Sequence, residues 1–247
     1  MRILVINPNT STFVTEAVAA AARSMAAPGT EIVAVTGRYG AAIVSGRSED
    51  ALAAAEVLRL AAEHDKGCDA IILAISFDSG LRALRELSPI PVVGMSEAAM
   101  LSACMVGGKF AMITFGNRAA AIYAELCHSY GLGARLTNVL SLPPLTQEEQ
   151  MNPSLVVPGL ARIVGETVEK DRTESVILSG AIFAGIAGEV AAHVEVPVLV
   201  GIREAVGMAE MLVRLQPDKA RTGSYRLPDA KQIEWPDPTL AERYRVR

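Results

Sequence analysis

Short apolar runs rich in Val, Ile and Leu alternate along the chain with longer alanine-rich stretches. The first kind marks buried strands and the second marks helices. Read this way, strands are predicted at 3–6, 31–35, 70–75, 92–93, 110–113, 135–139, 176–178 and 198–200. Helices are predicted between them at 12–25, 50–66, 96–106, 119–130, 155–172 and 203–215. Regular alternation of strand and helix implies a parallel, doubly wound α/β architecture.

The pattern occurs twice. "GCDAIILAISF…IPVVGMSEA" at 67–98 is echoed by "RTESVILSGAIF…VPVLVGIREA" at 172–205. Each copy is a strand, a helix, a Pro-led strand and a new helix. "RILVINPNT" is likewise echoed by "KFAMITFGN". The expectation is two similar Rossmann-like half-domains with parallel sheets and an active-site cleft between them. Residues 1–98 with roughly 207–228 form the first half, and 99–206 form the second. The tail, 229–247, is rich in Pro and charge and is expected to wrap the surface or join a subunit contact, with Trp235 as its anchor.

Composition narrows the class. The chain has 247 residues, 51% of them hydrophobic, and a mean hydropathy of +0.31, enough for an ordered protein with a sizeable core. Alanine dominates and aromatics make up only 4%, which suggests helices packed closely against a sheet. A net charge of −4 without a long basic run argues against nucleic acid as a partner. The apolar runs are far too short to cross a bilayer. The N-terminus enters a strand directly, without the apolar core and cleavage site of a signal peptide. Cys68, Cys104 and Cys127 are unevenly spaced and form no CxxC. They are expected to be reduced thiols in a cytoplasmic protein, and no zinc site is expected.

Ligands of parallel α/β sheets gather beyond the carboxyl ends of the strands. The polar groups predicted there are few. The first strand gives Asn7, Asn9 and Thr10, and the third, "LAISFDSG", gives Ser76, Asp78 and Ser79. The fourth gives Ser96 and Glu97, and the fifth gives Thr114 and Asn117. The seventh gives Ser179 and Gly180, and the eighth gives Arg203 and Glu204. Each has a plainer structural alternative. Asn9 or Thr10 can cap the helix near Thr12, and Ser96 can cap its own helix. Asp78 can close a turn with Ser79 and Gly80. Arg203 can pair with Glu204 or Glu97. His64, His128 and His193 fall late in helices or just before strands, at the opposite edge of the sheet, so no Ser–His dyad is expected on Ser76.

Together these segments resemble the Asp/Glu/hydantoin racemase superfamily, and most of all its hydantoin and allantoin racemase branch. The resemblance rests on "RILVINPNTS", "PGTEIVAVT", "VVGMSEAAM", "VPVLVGIREAV" and "TGSY", in that order, and stops near residue 228. It implies a cofactor-independent, metal-free isomerase, homo-oligomeric, that acts α to a carbonyl of a small carboxylate or cyclic ureide. In the family, two cysteines face each other across the substrate. One thiolate removes the α-proton and the other thiol returns a proton to the opposite face. A thiol, with an ordinary pKa near 8.5, suits that task.

This chain departs at both positions. The first family cysteine falls at Ser76, in a turn one residue shorter, and the second falls at Gly180, beside Ser179. Three readings follow. Asp78, Glu97 or Ser179 moves the proton in a thiol-free isomerase. Or the same cleft serves a lyase, decarboxylase or hydrolase, with Ser76 as an oxyanion donor and Arg203 as a carboxylate clamp. Or the chain binds a small molecule without turning it over.

Overall fold

The computed structural model describes residues 1–143, 145–146, 148–149 and 152–245. Two four-stranded parallel sheets are built with one topology, β2-β1-β3-β4 and β6-β5-β7-β8. The first contains β1 (Arg2–Asn7), β2 (Glu31–Thr36), β3 (Ala70–Leu73) and β4 (Val92–Gly94). The second contains β5 (Phe110–Phe115), β6 (Leu136–Leu142), β7 (Ser175–Leu178) and β8 (Val198–Leu199). The echo in the sequence is therefore an echo in space. The central strands are buried on both faces, which explains why Ile3 to Ile6 are apolar at every position rather than at every second one.

The helices are α1 (Thr12–Met25), α2 (Arg47–His64), α3 (Leu81–Leu87), α4 (Met95–Val106), α5 (Asn117–Ser129), α6 (Val157–Asp171), α7 (Ala187–Ala191), α8 (Ile202–Leu215) and α9 (Pro238–Glu242). After the second sheet, α8 returns to pack on α1, α4, β3 and β4. Helix α4 touches strands of both sheets. As a result, Val5 and Ile72 of one sheet share an apolar cluster with Ile113 and Leu178 of the other.

Several boundaries differ from the sequence reading for local reasons. The third strand stops at Leu73, not at residue 75, because Ile75 begins a run of turns: its carbonyl accepts from the Asp78 amide at 3.0 Å. Helix α2 starts at Arg47, three residues early, because the Glu49 carboxylate accepts from the amides of Ser45 (2.6 Å) and Gly46 (3.1 Å). Helix α6 is preceded by a 3₁₀ turn over Pro153–Val156 and ends where Arg172 takes a left-handed φ of 51°.

The tail is held by α9, which packs on α2. Leu240 and Ala241 are buried there, and Arg243 bonds the Ala62 carbonyl (3.2 Å) and the Asp65 carboxylate. Trp235 stays 45% exposed, so the anchoring expected of it falls to Leu240. Among the described residues, no helix is long and apolar enough to cross a membrane, and no cluster of His, Cys, Asp and Glu is arranged to hold a metal ion.

Candidate functional site

The loop that follows β3, residues 74–80, meets the second half of the molecule at Ser76. The Tyr123 hydroxyl, carried on α5, donates to Ser76 Oγ at 2.6 Å. The Ser76 carbonyl accepts from Ser96 Oγ at 2.5 Å. Tyr123 follows from the buried stripe Ala119, Tyr123, Cys127 on α5, and its ring meets Phe77 edge-on at 5.1 Å. Its phenol also bonds the Thr114 side chain at the end of β5. Burial pushes the phenol up to about 12, so it stays protonated at neutral pH.

Two residues on, Asp78 has a left-handed φ of 51° and a buried carboxylate. That carboxylate accepts from the amides of Ser96 (3.0 Å) and Glu97 (2.8 Å) and from the Tyr130 hydroxyl (2.7 Å). It thus serves as the N-terminal cap of α4, whose own N-cap residue, Gly94, has no side chain to offer. Gly94 is required: an added Cβ would lie 2.6 Å from Asp78 Cγ. Desolvation pushes the Asp78 carboxyl up to about 7, against the opposing pull of its hydrogen bonds.

Neighbouring acids and hydroxyls are similarly occupied. Ser79 Oγ donates to Asp50 at 2.5 Å. Glu97 forms a two-pronged pair with Arg85, one contact at 2.9 Å. Ser96 is the second residue of α4 rather than its cap, and its hydroxyl goes to the Ser76 loop.

At the end of β1, Asn7 organises the turn. Its Oδ1 accepts from the Asn9 amide (3.1 Å), and its Nδ2 donates to Thr15 Oγ1 (2.9 Å). Ser11, not Asn9 or Thr10, is the N-cap residue of α1. The Thr10 amide donates to the Ala41 carbonyl at 3.1 Å. Asn9 is buried and its Oδ1 has no hydrogen-bond partner.

The second half presents its own strand ends. The Ser179 amide donates to the Ile113 carbonyl at 2.8 Å, while its buried hydroxyl is also without a partner. Gly180 has φ 149°, which side-chain-bearing residues rarely adopt. A Cβ there would meet the Phe183 ring at 3.5 Å, an ordinary contact, so space is available although the backbone is not suited. Phe183 stacks on Phe115 at 4.9 Å. Residues 181–185 pack on α1 of the first half. Asn117 is exposed at the start of α5. Arg203 is exposed on α8 and makes neither expected ion pair, since Glu97 is taken by Arg85 and Glu204 accepts from the Gly201 amide at 2.6 Å.

The loop after β3 therefore meets the end of β5 in the other sheet. Ser76 is linked through Tyr123 to Thr114 on β5, the strand next to β7 that leads to Ser179 and Gly180. Sequence reasoning did not find Tyr123 or Tyr130. Both occupy positions on α5 that read as core or helix end, with no motif to distinguish their hydroxyls. The histidines stay apart: His64 ends α2, His128 lies in the last turn of α5, and His193 follows α7. Cys127 is buried and its thiol is pushed up to about 11, and burial also raises Cys68.

Residues 3–209 match the model of the family described as Asp/Glu/Hydantoin racemase. The chain belongs to this family. It is 34% identical to a hydantoin racemase of Paenarthrobacter aurescens over 235 residues, covering 94% of this chain and 99% of that protein. Its fold matches allantoin racemase from Klebsiella pneumoniae with a TM-score of 0.89 and 34% identity, over 97% of this chain and 98% of that one. Allantoin racemase from Pseudomonas fluorescens gives a TM-score of 0.90 and 32% identity, over 95% and 100% respectively. Membership in this racemase family accounts for the two half-domains with parallel four-stranded sheets of one topology.

Proposed function

We propose that the chain is a cofactor-independent enzyme of the racemase type. It takes a small carboxylate or cyclic ureide between the two sets of strand ends and acts at the carbon α to a carbonyl. One observation carries this reading. Asn9 Oδ1 and Ser179 Oγ are buried without partners, one in each half, each just beyond a central strand. An unpaired buried polar atom costs about 1–3 kcal/mol, and a polar ligand lying between the halves would remove that cost. The similarity to hydantoin and allantoin racemases supports the substrate class.

The chemistry differs from two-thiol racemisation. The hydroxyls of Ser76 and Tyr123 are too weakly acidic to serve as free bases near pH 7. Ser76 instead donates to the oxygen that gains charge as the α-carbon is deprotonated or loses a substituent. Backbone amides at the start of α5, with Asn117, and at the start of α8 add partial positive charge. Arg203 favours a full negative charge. Asp78, Ser79 and Glu97 hold the loop that carries Ser76, Thr114 holds Tyr123 behind it, and Thr10 lines the cleft. The two halves are residues 1–98 with 207–228 and residues 99–206, and the protein works as a homo-oligomer in a reducing compartment.

Gly180 favours a second reading, because glycine at that position carries no exchangeable side-chain proton and leaves only the neighbouring Ser179 hydroxyl in the loop after β7. A lyase, decarboxylase or hydrolase needs no pair of opposed proton donors. Incubation with allantoin, 5-substituted hydantoins and substituted malonates in heavy water separates the cases. Deuterium entering the α-position with inversion supports the isomerase. Carbon dioxide release or ring opening without inversion supports the second reading. No turnover of any of them, with binding retained, leaves only a binding protein.

A further inference from the structure

We propose that Tyr123 is a positioning residue that fixes the Ser76 hydroxyl as a hydrogen-bond donor toward the cleft and so selects for an acceptor oxygen on the ligand. The inference rests on the reading above that Ser76 faces the ligand. A serine hydroxyl has one proton and can both donate and accept. Left alone, it rotates to suit whatever approaches. Here the Tyr123 hydroxyl donates to Ser76 Oγ at 2.6 Å. Ser76 Oγ is thus already an acceptor, and its own proton is left for another group. Ser76 is the partly exposed member of the pair, whereas Tyr123 is buried, so the free donor is the one that can reach a ligand.

Tyr123 is itself constrained. Its ring is held edge-on by Phe77 at 5.1 Å, and its hydroxyl bonds the buried Thr114 side chain. The Tyr123 hydroxyl gives its proton to Ser76, so Thr114 can bond it only by donating, and we take the three hydroxyls as a relay running from β5 through α5 to the Ser76 loop. Hydrogen bonds aligned in this way polarise one another, so the terminal donor is strengthened. The relay also joins one half of the molecule to the other, so the strength of the donor depends on the halves being correctly seated.

A thiol reporter tests this without any ligand. In Ser76→Cys, the sulfur takes the place of Oγ, and a phenol donating to it stabilises the thiolate. Thiolate absorbance near 240 nm is followed against pH, with the parent protein subtracted to remove Cys68, Cys104 and Cys127. The position-76 thiol is expected to be at least about tenfold more acidic with Tyr123 present than in Ser76→Cys/Tyr123→Phe, a shift of one pKa unit. Equal titrations would overturn the proposal, because a purely structural role for the tyrosine ring is retained by phenylalanine. Near-UV circular dichroism checks that Tyr123→Phe folds. If it does not, Thr114→Val, which shortens the relay from its far end, is expected to weaken the thiol acidity in the same direction, and no change would overturn the proposal. Calorimetry with malonate and with hydantoin completes the test. Tyr123→Phe is expected to weaken whichever probe binds the parent by about the same factor as Ser76→Ala. A parent that binds neither defeats the functional reading, while the thiol titration still decides the role of Tyr123.

Discussion

Asp78 Oδ2 and the Tyr130 hydroxyl lie 2.7 Å apart, joining the loop after β3 to the residue that closes α5. The same carboxylate caps α4 through two backbone amides, so one side chain ties together three elements around Ser76. Its pH behaviour follows from burial. The Asp78 carboxyl is raised from 3.8 to about 7, so the folded state holds the proton more tightly than the unfolded chain. The stability it confers is full below pH 3.8 and is lost as pH rises toward about 7. Asp78→Asn removes this titration. The stability of the parent relative to Asp78→Asn should therefore fall between pH 4 and pH 7, by at most about 4 kcal/mol, and be flat above. Urea denaturation of both proteins across that range measures it. A gap independent of pH would show that the carboxyl is not raised.

Ser179 and Gly180 make opposite predictions although they are adjacent. The Ser179 hydroxyl is buried without a partner, so Ser179→Ala should stabilise the ligand-free protein by about 1 kcal/mol and weaken ligand binding. Gly180→Ala has space for its methyl group but places a side chain at φ 149°, and should destabilise by about 1–3 kcal/mol. Thermal unfolding of the two variants without ligand gives the signs directly. A destabilised Ser179→Ala would mean that the hydroxyl already has a partner, such as an ordered water.

The thiols should be quiet. Burial raises both Cys68 and Cys127, the latter to about 11, which leaves little thiolate at neutral pH. Iodoacetamide at pH 7.5 should leave both unmodified in the folded protein and label both in urea, as read by peptide mass spectrometry. Rapid native labelling of either, with loss of ligand binding, would place a functional thiol where none is assigned here.

The fold was legible because its signal is long-range and repeated. The apolar run at residues 3–6 and its echo at 110–113 read as central strands, and the α1 boundaries fall where alanine periodicity puts them, although its cap is Ser11 rather than Asn9 or Thr10. The site was legible only as a set of strand ends. The sequence does not say that Asp78 turns inward to cap α4 across a gap that Gly94 alone permits. Nor does it distinguish Tyr123 from any other aromatic on a core stripe, because its significance lies in a hydroxyl that reaches a loop 47 positions away. Such contacts depend on how the two halves are seated, and local periodicity does not encode that.

The tail offers a final contrast between what composition suggests and what packing does. Trp235 is the most conspicuous apolar residue beyond position 229, yet it is 45% exposed, whereas Leu240 is 5% exposed against α2. Leu240→Ala removes buried methyl groups and should weaken tail docking by about 2 kcal/mol, while Trp235→Ala should cost less than about 1 kcal/mol. Because α9 packs on α2, at the outside of the first sheet, its release is expected to be a local opening rather than global unfolding. Limited trypsin digestion is therefore the sensitive measurement, with cleavage after Lys231 and Arg243 as the readout. Leu240→Ala should be cut at these sites many times faster than the parent, and Trp235→Ala at nearly the parent rate. Arg243→Ala, which removes the contacts to Ala62 and Asp65, should speed cleavage after Lys231 by an intermediate amount. If Trp235→Ala is instead the variant that frees the tail, then Trp235 is covered in solution, and a second copy of the chain becomes the first candidate for what covers it.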